Sequence, residues 1–263
     1  MSKIIVLCNS KGGVGKSTLS INLAHSCKNF ARTALVDLDS QGSVYDMSEF
    51  FYRKAKIEEA EEAEEEIAED FAMPAYSQEL MERTFRSQST FDFVIVDTPP
   101  YLVEGLPELF ARAHLIIIPL KAGPLDTRAT RRTVALVKAA QKISPTLKTA
   151  FVLNMVKESS KITKKATEAL EKYDIPIFKS RIADRADFTR SVALEHGIYT
   201  TDNKKARQEF DAFTLEVMTT LNKESVTIVG REAAEEIERN DLSIGQLSLK
   251  GNNKIKTPQK AIQ

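Results

Sequence analysis

A glycine-rich loop constrains this chain more strongly than any other feature of its sequence. Residues 10–18 read Ser-Lys-Gly-Gly-Val-Gly-Lys-Ser-Thr, directly after the apolar run 4–7 and directly before an amphipathic stretch that begins at Lys16. Glycines in such a loop let successive backbone N–H groups turn inward around phosphate oxygens, and the start of a helix adds the positive end of its dipole. The order strand, loop, helix therefore predicts a phosphate-binding loop on an α/β sheet.

The side chains of this loop indicate how phosphate would be held. Lys16 is placed to reach the β and γ phosphates of a nucleotide, and the Ser17 hydroxyl is placed to ligate Mg²⁺. The strict pattern has glycine where this chain has Ser10, so the plain motif fails by one residue. A glycine-rich turn with an incidental lysine is the alternative, and the strand before the loop and the helix after it argue against that interpretation.

Short apolar runs alternate with longer amphipathic stretches over residues 1–222. This pattern predicts one domain with a single doubly wound, mainly parallel sheet and helices on both faces. The predicted strands are 4–7, 33–38, 91–96, 114–119, 149–153 and 175–178, and the predicted helices are 16–30, 124–143, 159–173 and 204–221. The periodicity weakens after Lys223, so residues 223–263 are expected to form a charged extension whose last part is disordered.

The apolar runs are too short for a membrane span or a secretion signal. The run 115–118 is far below the roughly 18 to 20 residues that a membrane helix requires, and the run before the glycine-rich loop leaves no room for a signal-peptide core. We therefore expect a cytoplasmic protein. Cys8 lies at the end of the first predicted strand and Cys27 on the apolar face of a predicted helix, so both are expected to be reduced core residues.

The formal net charge of zero conceals an uneven distribution. Residues 58–70 contain nine acidic residues and no basic one. The rest of the chain therefore contains 28 acidic residues and all 37 basic residues. A body with this basic surplus favours a polyanionic partner. For the acidic segment we favour a solvated helix over about 53–72 rather than a dedicated binding tail, because apolar residues recur in it at helical intervals.

Further segments carry a family resemblance. Residues 37–42 read Asp-Leu-Asp-Ser-Gln-Gly, and residues 91–100 read Phe-Asp-Phe-Val-Ile-Val-Asp-Thr-Pro-Pro. With the loop, they resemble the deviant Walker A ATPases, the family of ParA and MinD, whose loop reads Lys-Gly-Gly-X-Gly-Lys-Ser/Thr-Thr. Ser40 stands where that family usually has proline. The resemblance spans roughly residues 3–221, with Pro119, Pro124 and Asn154 at later landmarks, and implies the P-loop NTPase fold with ATP and Mg²⁺ as cofactors.

Two aspartates are candidates for the chemistry of hydrolysis. Asp97 ends a predicted strand and faces the loop, where its carboxylate can hold Mg²⁺ directly or through water. The resemblance makes Asp39 the group that orients the attacking water. Asp37 reads as a buried structural carboxylate, and Asp39 is preferred because it begins the polar loop while Asp37 still alternates within the strand.

The resemblance also implies roles for three other residues. Lys11 would reach across a nucleotide-sandwich homodimer to the phosphates of the partner; a solvated loop lysine is the alternative. Gly12 would lie at the dimer contact. Asn154 matches an adenine-contacting asparagine, with a turn-forming residue as the alternative. The implied catalytic residues are thus Lys11, Lys16 and Asp39, the metal ligands Ser17 and Asp97, and the nucleotide-binding residues Lys11, Gly12, Gly13, Val14, Gly15, Lys16, Ser17, Thr18 and Asn154.

Three functions compete under this resemblance. We favour a partition or positioning ATPase for plasmid or chromosome segregation. In this interpretation the protein forms an ATP-bound dimer and binds nonspecific DNA at the nucleoid. Slow ATP hydrolysis, stimulated by a ParB-like, centromere- or cargo-binding partner, then releases it from the DNA. A MinD-like membrane-cycling regulator would end in a basic amphipathic helix, but the piece 231–239 is acidic. An ATP-dependent small-molecule synthetase is the alternative from another class, and the sequence shows no acceptor constellation for it.

The carboxyl half of the domain supplies candidate DNA contacts. Residues 157–207 contain twelve basic and eight acidic residues, and residues 181–190 resemble the family region that leads into a DNA-contacting surface. Ordinary solvated charge is the alternative for each residue. Since nothing precedes the first predicted strand, operator-specific binding is not expected. The candidates are Arg185, Arg190, Lys204, Lys205 and Arg207.

Overall fold

Parallel strands form the centre of the protein. The computed structural model describes residues 2–38, 72–74, 91–100, 105–157, 161–194 and 196–222. The strands within these ranges are β1 Lys3–Leu7, β2 Thr33–Asp37, β3 Ala72–Pro74, β4 Phe93–Asp97, β5 Leu115–Leu120, β6 Lys148–Val156 and β7 Ile177–Ala183. They form one sheet in the order β3-β2-β4-β1-β5-β6-β7, in which every neighbouring pair is parallel.

Helices cover both faces of this sheet. They are α1 Lys16–Lys28, α2 Leu106–Arg112, α3 Pro124–Ala129, α4 Arg131–Ile143, α5 Lys161–Glu171, α6 Ala186–Ser191 and α7 Lys204–Leu221, with a short 3-10 turn at Gly197–Thr200. Apolar residues of α2, α4 and α5 pack on one face, and those of α1, α6 and α7 pack on the other. The doubly wound α/β fold predicted from the sequence is confirmed.

Burial explains the residue patterns of these elements. Every residue of β5 is buried, because a strand with helices on both faces needs apolar side chains at successive positions rather than at alternate ones. Helix α7 instead follows the helical period, and Asn203 caps it by accepting a hydrogen bond from the Ala206 N–H at 3.1 Å. Its buried apolar residues are Ala206, Phe210, Phe213, Val217 and Leu221.

Several predicted boundaries are wrong in detail. The helix predicted over 124–143 is divided at Thr130 into α3 and α4, and the Asp126 carbonyl accepts both the Thr130 N–H at 3.1 Å and the Thr130 hydroxyl at 2.9 Å. The strand predicted over 149–153 extends over Lys148–Val156, because it pairs with a strand on each side. The predicted acidic helix reaches 72, where the structure has β3.

Two predicted segments lie outside the described residues. These are the acidic segment 58–70 and the charged extension 223–263, so the division of the chain at residue 222 stays a prediction. Among the helices that the structure describes, none is long and apolar enough to cross a bilayer.

Candidate nucleotide-binding site

The glycine-rich loop lies where the chain changes sides in the sheet. From β1 the chain moves to β2 on one side, returns to β4 beside β1, and then crosses to β5 on the other side of β1. In parallel α/β sheets, the carboxyl ends of the strands around such a switch point form a ligand-binding crevice. Residues 8–15 leave the carboxyl end of β1 at this point, so the loop occupies the position that phosphate binding requires.

Gly15 fixes the last turn of the loop before α1. Its φ is 88°, in the left-handed region, and a Cβ added there would lie 2.1 Å from Asn154 Nδ2. The Asn154 amide donates to the Val14 carbonyl at 2.8 Å and is buried. Both the backbone conformation and the close approach of Asn154 therefore require glycine at this position.

The first half of the loop is anchored to β5, to Thr130 between α3 and α4, and to α4. The buried Asn9 amide donates to the Pro119 carbonyl at 2.8 Å and to the Thr130 hydroxyl at 3.4 Å, and its oxygen accepts from the Lys11 N–H at 3.0 Å. The Ser10 N–H donates to Thr133 Oγ1 at 3.0 Å. Residues 9–11 are thus held by a segment more than a hundred positions later in the chain.

Asp97 forms the polar centre of the crevice. It is fully buried at the end of β4; the Ser17 hydroxyl donates to its Oδ2 at 2.6 Å and the Ser20 hydroxyl to its Oδ1 at 3.2 Å. Burial raises the pKa of Asp97 to about 7, and the hydrogen bond from Ser17 only partly opposes that shift. The arrangement brings together the two predicted metal ligands, Ser17 and Asp97.

These residues fit a magnesium-bound nucleotide. Asp37 and Asp97 are side by side in register on β2 and β4, and both are buried. Neighbouring buried carboxylates favour a cation between or beside them, and carboxylate and hydroxyl oxygens are ligands that Mg²⁺ prefers. Lys16, 7% exposed, adds positive charge next to Asp97.

Lys11 is held within its own chain. Its ammonium group forms an ion pair with Asp126 on α3; the side chains are 35% and 11% exposed. In the single chain Lys11 is therefore paired rather than fully solvated, and its predicted contact across a dimer stays a prediction. The exposed Gly12, next in the loop, would place a Cβ 3.8 Å from Pro100 Cβ, which is ordinary contact.

The remaining predicted site residues have mixed outcomes. The loop residues 11–18 and Asn154 do come together around one crevice, but Asn154 lies inside β6 rather than after it, and its amide supports the loop. Its contact with adenine stays a prediction. Asp39 lies outside the described residues, so its role in orienting water also stays a prediction.

The predicted DNA contacts divide into two groups. The Arg185 guanidinium pairs with Glu209 at 2.6 Å, and the same carboxylate accepts from the Ala183 N–H at 3.2 Å. In the single chain the charge of Arg185 is thus balanced by Glu209, and its contact with DNA stays a prediction. The other candidates lie along α6 and α7: Arg190, Lys204 and Lys205 are exposed and Arg207 is half-buried.

Sequence reasoning missed several residues of the site. Ser20 lies one helical turn after Ser17, a spacing that could have placed its hydroxyl on the same carboxylate. Neither Asp126 nor Asn9 was assigned to the site from the sequence, because the residues that they contact, Lys11 and Pro119, are distant along the chain. The prediction that Cys8 and Cys27 are core residues is confirmed, since both are buried and free.

Comparison with known proteins agrees with this geometry. The CobQ/CobB/MinD/ParA nucleotide binding domain family matches residues 5–198. Maintenance of carboxysome distribution protein A of Halothiobacillus neapolitanus is 29% identical over 189 residues, 72% of this chain and 82% of that protein. The chromosome-partitioning ATPase Soj of Treponema pallidum is 30% identical over 182 residues, 57% of this chain and 68% of that protein. The solved structure of apo McdA from Cyanothece has a TM-score of 0.64 at 17% identity and covers 82% of this chain and 100% of that one, a likeness of fold.

Proposed function

The chain belongs to the CobQ/CobB/MinD/ParA nucleotide binding domain family, and from that premise we propose that it is a positioning ATPase that cycles between an ATP-bound, DNA-binding dimer and a released monomer. Its cofactors are ATP and Mg²⁺. Its cargo is a plasmid, a chromosome or a protein assembly. The observation that supports this most directly is the phosphate loop at the switch point of the sheet, with Ser17 and Asp97 joined beside it.

The loop and its neighbours bind and orient the nucleotide. Backbone N–H groups of residues 12–18 face the phosphates, and Lys16 neutralises the oxygens that gain charge when the terminal phosphoryl group leaves. Ser17 and Asp97 would hold Mg²⁺, which neutralises phosphate charge when bound. Asp39 is proposed to orient the attacking water; Asp37, buried beside Asp97, supports the site from within the sheet.

Lys11 is proposed to change partners during the cycle. In the single chain its charge is held by Asp126. In an ATP dimer it would leave Asp126 and contact the phosphates of the other subunit, where a second cation stabilises the charge-rich transition state. Exchange between the two partners makes dimer closure depend on the nucleotide.

The proposed ATPase is slow alone and faster with a partner protein. A switch that must remain closed long enough to move cargo cannot turn over freely, and the relatives include proteins named for carboxysome distribution and for chromosome partitioning. The partner is expected to be a ParB-like protein that carries the cargo. Asp39→Ala should accumulate the ATP dimer, because it removes the water-orienting group while leaving the phosphate contacts.

The test is DNA binding measured in each nucleotide state. The purified chain, and a Lys16→Ala variant as the control that should not bind Mg-ATP, are mixed with duplex DNA without nucleotide, with ADP, with ATP and with a slowly hydrolysed ATP analogue. Sedimentation should show a DNA-bound dimer only for the unaltered chain with ATP or the analogue. Binding that ignores the nucleotide, or rapid turnover that depends on a small metabolite, would reject the proposal.

A further inference from the structure

One stretch of the chain contains several basic residues and no acidic residue. Residues 127–157 contain seven Lys or Arg residues and no Asp or Glu, whereas residues 157–207 contain eight acidic residues among twelve basic ones. The nearest preceding carboxylate, Asp126, is already paired with Lys11. The stretch includes α3 after Asp126, all of α4 and β6.

Helix α4 presents most of this charge on one side. It buries Thr133, Val134, Val137 and Ala140 against the sheet, and its basic residues are all exposed. At 3.6 residues per turn these fall within an arc of about 120° and span about 17 Å of the helix. Exposed alanines lie between them at 135 and 139. The α4 basic face consists of Arg131, Arg132, Lys138 and Lys142, with Arg128 of α3 adjoining it.

Nothing in the described part of the chain neutralises this face. No carboxylate of those residues forms an ion pair with Arg128 or with any base of α4. The first turn of α4 carries two arginines and no acidic residue, although positive charge at a helix N-terminus is unfavourable. The face therefore carries charge that an external anion would stabilise.

We propose that the α4 basic face binds the phosphate backbone of duplex DNA in the ATP-bound state. This rests on the proposed function, and it moves the principal DNA contact from residues 185–207 to α4. An acidic peptide is the other polyanion to consider, but peptide interfaces depend on a few large apolar or aromatic anchors. Residues 127–148 contain no aromatic residue. The large apolar side chain that α4 exposes is Ile143, at the far end of the helix. A phosphate backbone needs only accessible charge.

The face is also connected to the phosphate loop. Thr133, next to Arg132, accepts the Ser10 N–H at 3.0 Å, and Thr130, next to Arg131, accepts from the Asn9 amide at 3.4 Å. A shift of residues 9–11 on nucleotide binding would therefore be transmitted to the first turn of α4. Through these contacts, ATP bound to one subunit would affect the DNA affinity of the same subunit, in addition to its effect through dimer formation.

The experiment compares two triple variants with equal loss of charge. Arg131→Gln, Arg132→Gln and Lys138→Gln remove charge from the α4 basic face; Arg190→Gln, Lys204→Gln and Arg207→Gln remove the same charge from the surface that the sequence favours. Affinity for a short duplex is measured with the slowly hydrolysed ATP analogue across a range of salt. The α4 variant should bind at least about tenfold more weakly than the unaltered chain. Its plot of log affinity against log salt should be less steep by about 2.7, or 0.9 for each phosphate that the variant no longer neutralises.

Controls separate failure of this inference from failure of the proposed function. Both variants should keep the melting temperature and ATP affinity of the unaltered chain, and Arg131→Lys with Arg132→Lys should retain DNA binding, because binding to phosphate requires charge. If the unaltered chain does not bind DNA with ATP, the proposed function fails and the inference with it. If it binds but the α4 variant binds equally well, or if polyglutamate binds α4 more tightly than the duplex, only the inference is overturned.

Discussion

In the ion pair between Lys11 and Asp126, the carboxylate of the same chain competes with the phosphates of a second subunit for the Lys11 ammonium group. Asp126 is buried on α3 and Lys11 lies at the mouth of the loop. If Lys11 must leave Asp126 to reach a second subunit, breaking the pair opposes dimer closure. Because the Lys11 side chain is 35% exposed, the pair contributes on the order of 1 kcal/mol or less, which is enough to tune closure without preventing it.

Asp126→Asn should therefore favour the ATP dimer. It removes the carboxylate that holds Lys11 while keeping the shape of the side chain, so we expect the dimer dissociation constant with the slowly hydrolysed ATP analogue to fall about two- to fivefold, as measured by sedimentation velocity. The matched control is Asp92→Asn, which loses the same charge and breaks the exposed pair with Arg32 at the other end of the sheet. An unchanged or weaker dimer in the Asp126 variant would show that the pair does not oppose closure.

Two glycines of the loop should respond differently to alanine. Gly15→Ala combines a left-handed φ of 88° with a Cβ only 2.1 Å from Asn154 Nδ2. The conformation alone costs about 1–2 kcal/mol, so we expect a melting temperature lower by at least about 3 °C, and loss of ATP binding because the loop must move. Thermal unfolding and nucleotide titration measure both effects.

Gly12→Ala provides the comparison in the same loop. Its Cβ would find only Pro100 Cβ at 3.8 Å, so folding and ATP binding by the single chain should be preserved. Equal damage from both alanines would mean that neither position tolerates an added Cβ, and that the contact with Asn154 is not the specific reason for glycine at position 15.

At the scale of elements, local patterns were sufficient for most of the sheet and helices but not for the contacts between them. Helix α7 was predicted with its observed bounds because its apolar residues repeat with the helical period over 18 residues. Strand β3 has three residues, Ala-Met-Pro, and no periodicity can be read from so short a segment. The helices α2 and α6, of seven and six residues, were missed for the same reason.

The candidate site divides in the same way. The loop, Ser17 and Asp97 were predictable because each lies directly beside a strand or helix end, and a parallel sheet brings strand ends together. The anchoring of Asn9 by Thr130, 121 positions away, depends on how α3 and α4 settle beside β1 and β5. Sequence spacing contains no information on that placement.

The outer strand β7 offers a prediction about an element. Glu216 of α7 accepts the N–H groups of Lys179 and Ser180 at 2.8 and 2.9 Å, and the Ser180 hydroxyl at 2.8 Å. These bonds occupy donors on the strand that ends the sheet, where open N–H groups would otherwise invite pairing with another chain. Glu216→Ala should lower the free energy of unfolding by about 1–3 kcal/mol and leave ATP affinity unchanged.

Denaturant unfolding measures that decrease in stability. Glu168→Ala, an exposed glutamate on α5, is the control and should change stability by less than about 0.5 kcal/mol. If Glu216→Ala unfolds at the same denaturant concentration as the unaltered chain, its carboxylate does not stabilise the edge strand.

At the scale of the whole molecule, the two lysines of the loop should control different steps of assembly. Lys16 is buried beside Asp97 and is proposed to bind the nucleotide of its own chain, whereas Lys11 is partly exposed and paired with Asp126. The proposed dimer needs both: Lys16 to hold the phosphates within one subunit, and Lys11 to contact those of the other. Loss of either lysine should therefore prevent dimer formation for a different reason.

Lys16→Ala should abolish Mg-ATP binding, and Lys11→Ala should bind ATP as a monomer within about threefold of the unaltered affinity, a difference below about 1 kcal/mol. Titration with a fluorescent ATP analogue, followed by sedimentation of the same samples, separates the two steps. Removing Mg²⁺ with a chelator should lower the nucleotide affinity of the unaltered chain and return it to the monomer, because Ser17 and Asp97 then face the phosphates without the cation. If Lys11→Ala loses ATP affinity as severely as Lys16→Ala, Lys11 serves its own chain's nucleotide, and the exchange of partners between Asp126 and a second subunit must be abandoned.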